Sequence, residues 1–253
     1  VVTTFAQYIN NPAGMKNAVI SHREMYRQLY SAKLDAIYIR ENGNIDYVVY
    51  KSKDDYYIHF KIPSEMIEDF YYDVVLQFSP AGLGKGLSTS ISDYSIRFFS
   101  NDPSFMYTFT HAFYKNDLLI KDLMPRMSKT ALRKNADEKN PDNQIGYVKV
   151  FYFAYLIMEN KSLFSKIRLD SMSIPYDKKK LLADVVDQDT KVTERQEQKP
   201  KKPKKDKSAE LPEEETRKPG NATPRIKRTS GVTKTPVTKR TPKTGKVKRT
   251  KRI

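Results

Sequence analysis

The chain of 253 residues contains no cysteine and no tryptophan, and only three histidines. Without cysteine there is no disulfide framework, no thiolate metal site and no Cys nucleophile. Apolar runs are short as well. None approaches the ~18 residues that a membrane-spanning helix needs, so no membrane partner is expected. The N-terminus lacks the ordered charged, apolar and cleavage regions of a secretory signal, which is therefore not expected either. Two further absences are regional: no aromatic residue follows Tyr176, and no acidic residue follows Glu215.

These regional absences divide the chain. The formal net charge is +16, but residues 199–253 hold 20 basic and 5 acidic residues, whereas residues 1–198 hold 26 and 25. All 29 aromatic side chains lie in the first part. The basic character therefore belongs to a terminal segment. The first part is rich enough in apolar groups to bury a core, and the second is too poor to offset its chain entropy. The reading is one folded domain over 1–198, with residues 1–20 as an arm, followed by a disordered Lys/Arg/Pro/Thr-rich tail over 199–253.

Within the domain, Ser21-His22-Arg23-Glu24 fits a capping box opening a helix over about 21–34. Ala36–Arg40 and Ile45–Tyr50 flank Asn42-Gly43, a hairpin signal because both central residues of a type I′ turn need positive φ. Residues 56–62, 72–78 and 94–98 alternate with period two, which sends one set to a core and the other to solvent or a partner. Pro63-Ser64-Glu65 is read as opening a short helix. Asn101-Asp102-Pro103 reads as a helix cap with a first-turn proline, Ser128 as the cap of a helix reaching about Glu138, and Asp177 as the cap of a last helix. Residues 145–159 are apolar nearly all round, as in a buried helix. The expected fold is α+β: an antiparallel sheet of about five strands, with helices mainly in the second half.

The tail carries the clearest chemistry. A first basic block includes Lys201, Lys202, Lys204 and Lys205. After an acidic interruption, residues 217–253 contain 14 basic residues and no acid. The pattern TPxxKRT occurs at 223–229 and 235–241, and a longer degenerate copy runs from Thr241 to Thr250. It presents Arg225, Lys227, Arg228, Lys234, Lys239, Arg240, Lys243, Lys246, Lys248, Arg249, Lys251 and Arg252 around rigid Pro turns. Such a polyelectrolyte is expected to bind DNA by neutralising phosphates and releasing counterions, largely without regard to sequence. The alternatives are a solvated tail that only aids solubility and one that touches an acidic protein or membrane surface. With no aromatic among the cations, the tail itself cannot stack on bases.

Catalytic and cofactor signals are weak, and no catalytic residue, metal or cofactor is expected. Residues 80–88 (PAGLGKGLS) match neither the phosphate-loop nor the dinucleotide spacing and read as a flexible loop. His22, His59 and His111 form no metal-ligating pair by spacing. Asp54-Asp55 and Glu65/Glu68/Asp69 sit in turns and helix starts. The aromatic pairs Tyr56/Tyr57, Tyr71/Tyr72 and Phe98/Phe99 put rings on both strand faces. The two readings are coverage of both faces by the chain's own helices and an exposed aromatic surface for protein contact or self-association.

Two resemblances follow from these residues. The Thr-Pro basic repeats resemble tails of linker histones and other DNA-condensing proteins. Residues 94–105 (YSIRFFSNDPSF), 124–129 (MPRMSK) and 146–149 (GYVK) resemble stretches of uncharacterised structural or assembly proteins from tailed bacteriophages of Gram-positive hosts. That resemblance implies a non-enzymatic virion or assembly protein, in the virion or the host cytoplasm, that contacts other virion proteins. The alternatives are a DNA-binding accessory factor outside a particle, or a nuclease-like enzyme with scattered acidic residues.

Overall fold

The computed structural model describes residues 4–10, 20–80, 88–136 and 138–198. The chain divides into two units, Val1–Lys202 and Pro203–Ile253, and the second lies outside the described residues. The fold is α+β. Helices α1 (Phe5–Asn10) and α2 (Ile20–Arg40) precede strands β1 (Tyr47–Ser52), β2 (Asp55–Pro63), β3 (Tyr71–Ser79) and β4 (Ser95–Ser100). Helices α3 (Pro103–Thr108) and α4 (Thr110–Lys115) follow, then a 3-10 helix (Lys121–Arg126) and α5 (Lys129–Arg133). The chain continues through α6 (Lys149–Asn160), α7 (Lys166–Met172), the short strand β5 (Ile174–Pro175), α8 (Lys178–Asp184) and α9 (Gln188–Gln198).

The sheet order is β4-β3-β2-β1-β5. The first three neighbouring pairs are antiparallel, and β5 lies parallel to β1. The sheet is therefore mixed, and its fifth member differs from the one expected. Residues 36–40 complete α2 and form no strand. The Asn-Gly pair supplies the positive φ that a hairpin turn would need, at 51° for Asn42 and 77° for Gly43. Its use is helix termination. The Gly43 amide donates to the Tyr38 carbonyl at 2.7 Å and the Asn42 amide to that of Ile39 at 3.3 Å, the paired bonds of a Schellman cap. The side chains of the supposed capping box at 21–24 lie outside the described residues.

The strand periodicity is correct, but the second face is largely buried as well as the first. Register places Tyr56, Ile58, Phe60, Val74, Leu76, Phe78, Ile96 and Phe98 on one face. Helices α1 and α6 cover it: the rings of Phe5, Tyr8 and Phe151 lie 5.8, 4.9 and 4.7 Å from that of Phe98. Of the expected N-terminal arm, helix α1 is thus part of the core, with Phe5, Tyr8 and Ile9 all buried. The opposite face carries Tyr57, His59, Asp73, Val75, Gln77 and Phe99, all buried too. Of its polar groups, His59, Asp73 and Gln77 are matched from within the chain, whereas Lys61 near the end of β2 and Val48 of β1 on the same face are exposed.

Three other expectations shift. Residues 65–69 form turns, with the Ser64 hydroxyl accepting from the Met66 amide and Asp69 at φ 55°, so no helix opens at Pro63. Helix α5 stops at Arg133 rather than near Glu138. The last helix is two, broken at 185–187 between α8 and α9. The caps at Asp102 and Asp177 form as read, their carboxylates accepting from backbone amides of the first turn.

Candidate nucleic-acid interface

Every cation assigned to DNA binding, from Lys201 to Arg252, lies outside the described residues. The structure describes the ground from which that segment departs. Helix α9 ends at Gln198, directly before the first basic block, and a buried polar cluster holds the chain that leads into it. Asp73 of β3 stands at the centre. Its amide donates to Asn101 Oδ1 at 2.8 Å, and Asn101 Nδ2 returns a bond to Asp73 Oδ2 at 2.7 Å. The same amide group donates to the Val186 carbonyl at 3.1 Å, while the Val186 amide donates to Asp73 Oδ2 at 3.1 Å. His59 Nε2 lies 2.8 Å from Asp73 Oδ1. A buried carboxylate is tolerable only with its lone pairs occupied, and here the side chain of Asn101 and the backbone of residue 186 occupy them.

Gln188 repeats the device one turn further on. Its Nε2 donates to the Ser100 carbonyl at 2.7 Å, and its Oε1 accepts from the Ser128 amide at 2.9 Å. Beyond it, the Lys191 ammonium lies 4.4 Å from the Phe70 ring centroid and pairs with Glu194. The Arg195 guanidinium lies 5.8 Å from the Tyr72 ring centroid. Cation–ring contacts of this kind favour a cation that is partly desolvated. The helix that precedes the basic segment is thereby docked on the sheet.

The weaker candidates do not converge. The glycine-rich loop falls mainly on residues 81–87, outside the described residues, as does the side chain of His22. His59 is buried against Asp73, whereas His111 meets the Leu132 carbonyl through Nδ1. Among the described residues no group of three or more His, Cys, Asp or Glu could hold a metal ion. Of the acidic residues, Asp55 accepts from Gln77, and Glu65 pairs with Lys33 and Lys149. Burial opposes Glu65 ionisation, yet its two lysine partners outweigh that and hold it below the usual carboxylate value. No helix among the described residues is long and apolar enough to cross a membrane.

The exposed aromatic surface proposed from Tyr57 and its neighbours is not there. Tyr57 stacks on Tyr176 with ring centroids 4.2 Å apart, and burial with nearby Asp55 and Asp122 pushes its pKa up to about 12. Phe99 is fully buried. Exposure is found elsewhere, at Tyr107 of α3, which is 53% exposed. Its signal in the sequence is its phase: Phe105, Met106, Phe109 and Phe113 share the inward face and Tyr107 falls off it.

No family model, no curated protein and no solved structure matches the chain.

Proposed function

We propose that this chain is a non-enzymatic structural or assembly protein of a tailed-phage particle, acting in the virion or the host cytoplasm. Its folded domain contacts other virion proteins or further copies of itself, and its basic segment 199–253 binds DNA without sequence specificity. One observation carries the DNA reading: the segment holds a net +15, whereas residues 1–198 hold +1. Attraction to phosphate scales with the cations engaged, so it resides in the segment. The phage setting rests on the resemblance of residues 94–105, 124–129 and 146–149. The non-enzymatic reading is supported by the polar cluster around Asp73, whose groups are occupied in holding the backbone before α9.

The test compares the full chain with a chain ending at Lys202, by fluorescence anisotropy on two duplexes of unrelated sequence over a salt series. If about 10 cations engage phosphates, log affinity of the full chain falls with log salt at a slope of roughly −9 on both duplexes. The shortened chain loses most affinity while keeping its unfolding midpoint. Equal affinity and slope for the two chains would refute the assignment of binding to the segment. Mass spectrometry of purified particles tests the setting, and absence of the chain from them would leave a factor that acts outside the mature particle.

A further inference from the structure

Tyr107 is the wall shared by two adjoining clefts, of about 460 and 340 Å³. Lys139 lines both; Lys134, Asn135 and Glu138 line the first, and Arg195 lines the second. Volumes of this order suit small organic groups. Among the described residues the Tyr107 ring makes no aromatic contact and its hydroxyl no hydrogen bond, and Lys139 has no ion pair. Asn135 Oδ1 and Arg195 Nε are both without a hydrogen-bond partner, one an acceptor and the other a donor. Both atoms are buried, although both residues are partly exposed.

The arrangement is an exposed ring between cations. Among the described lining residues Lys134, Lys139 and Arg195 are positive and Glu138 is the carboxylate, and Asp137, which the sequence sets between Ala136 and Glu138, lies outside the described residues. A ring face accepts a nucleobase in stacking, and cations on either side neutralise the flanking phosphates. A duplex cannot use such a site, because its base faces already stack on one another. The basic segment supplies charge but no aromatic residue. Tyr107 supplies the ring, and Arg195 lies in the last turn of the helix leading into that segment.

We infer that the Tyr107 clefts form a binding site for single-stranded nucleic acid, one base stacking on Tyr107 with its phosphates beside Lys139 and Arg195. This rests on the nucleic-acid reading above and adds to it a site on the folded domain that prefers single strands.

The experiment uses the full chain and an oligonucleotide carrying 5-iodouracil, irradiated and mapped by peptide mass spectrometry. The expected crosslink is at Tyr107, and an aromatic crosslink cannot arise in the basic segment. In parallel, affinities for single-stranded and duplex DNA are compared. Tyr107→Ala should lower the single-strand affinity about tenfold and leave duplex affinity unchanged, whereas Tyr107→Phe should keep both. The ring is exposed, so the variants' thermal transitions should match the parent's. An unchanged single-strand to duplex ratio in Tyr107→Ala, with crosslinks elsewhere, overturns this site and leaves the charge-based reading standing. Loss of single-strand preference in Tyr107→Ala, with no effect of removing 203–253 on duplex binding, upholds the site and overturns the role given to the segment. No nucleic-acid binding by the full chain overturns both.

Discussion

Gly146 stands where no side chain fits. A Cβ added there would lie 2.4 Å from Phe109 Cε1 and 2.8 Å from Cζ. Its carbonyl accepts from the Tyr8 hydroxyl at 2.9 Å, and the same hydroxyl accepts from the Val148 amide at 3.2 Å. The backbone is therefore pinned from α1 on one side and pressed by a ring on the other. Gly146→Ala should destabilise the domain by about 1–3 kcal/mol, the usual cost of overpacking, seen as a lower urea midpoint at unchanged slope. Adding Phe109→Leu should recover part of that loss. A wild-type midpoint for Gly146→Ala alone would mean that the ring moves aside freely. Asn42 and Gly43 teach a related lesson. Positive φ was legible from the dipeptide, but a turn and a Schellman cap both need it. Only the hydrogen-bond partners, Tyr38 and Ile39, decide between them.

Elements defined by local chemistry were the legible ones. Alternation located β2, β3 and β4, the Asp102 and Asp177 caps located two helix starts, and the all-apolar run located α6. Elements defined by distant contacts were not. Helix α1 is one turn and a half. Thr4 and Gln7 close a capping box at its start, at 3.1 and 3.2 Å, but so short a helix is held by burial of Phe5, Tyr8 and Ile9. Strand β5 is two residues long and depends on the edge of β1. The break between α8 and α9 is set by the Asp73 cluster, whose members lie on β2, β3, the end of β4 and residue 186. No spacing rule joins them. The cluster's weight can be measured. Asn101→Ala leaves the Val186 carbonyl without its donor and removes two bonds from Asp73, which should cost about 3 kcal/mol. It should also speed hydrogen exchange along α9 more than in β2. Uniform loss of protection across the domain would show instead that the cluster supports the whole core. Of the proposed nucleic-acid site, the cation-rich segment is plain from composition, whereas the Tyr107 clefts required the positions of α3, α5 and α9 together.

At the scale of the whole molecule, buried tyrosines set the response to alkali. The ordinary tyrosine value is 10.0, and burial raises Tyr50, Tyr57 and Tyr72 to about 12. For Tyr50 the nearby Asp184 adds to the rise, as Asp55 and Asp122 do for Tyr57. Tyr8, Tyr56 and Tyr176 are pushed higher still, burial again leading. A raised folded-state value means that the unfolded chain gives up its proton first. Stability is therefore full below pH 10 and falls as pH climbs from about 10 towards 12 and beyond. The opposite limb belongs to Glu65, Asp117, Asp122, Asp170 and Asp187, all held below the usual carboxylate range. They lose their contribution as pH drops below about 4, offset slightly by Asp102, whose burial raises it. Tyrosinate absorbance near 295 nm should rise together with loss of far-ultraviolet dichroism. Smooth tyrosine titration with the fold intact would mean that these rings are open to water.

The sheet's two margins bear on how copies of the chain can associate. On one side, β5 occupies the β1 edge at Tyr50 and Lys51, and its Pro175 has no amide hydrogen to offer a further strand. On the other, residues 118–120 run against β4, with the Phe98 amide donating to the Leu118 carbonyl at 2.8 Å and the Ile120 amide to that of Phe98 at 3.2 Å, and Thr4 bridges Ser95. Both rims are thus partly covered, the β1 edge at Tyr50 and Lys51 and the β4 edge at Ser95 and Phe98, which leaves less free edge for strand addition, a route by which β-rich chains aggregate. Under the proposed nucleic-acid role, copies gathered on one nucleic acid at high local concentration would find little free strand edge among the described residues, so crowding on the polyanion would favour contact through side-chain surfaces over strand-by-strand growth.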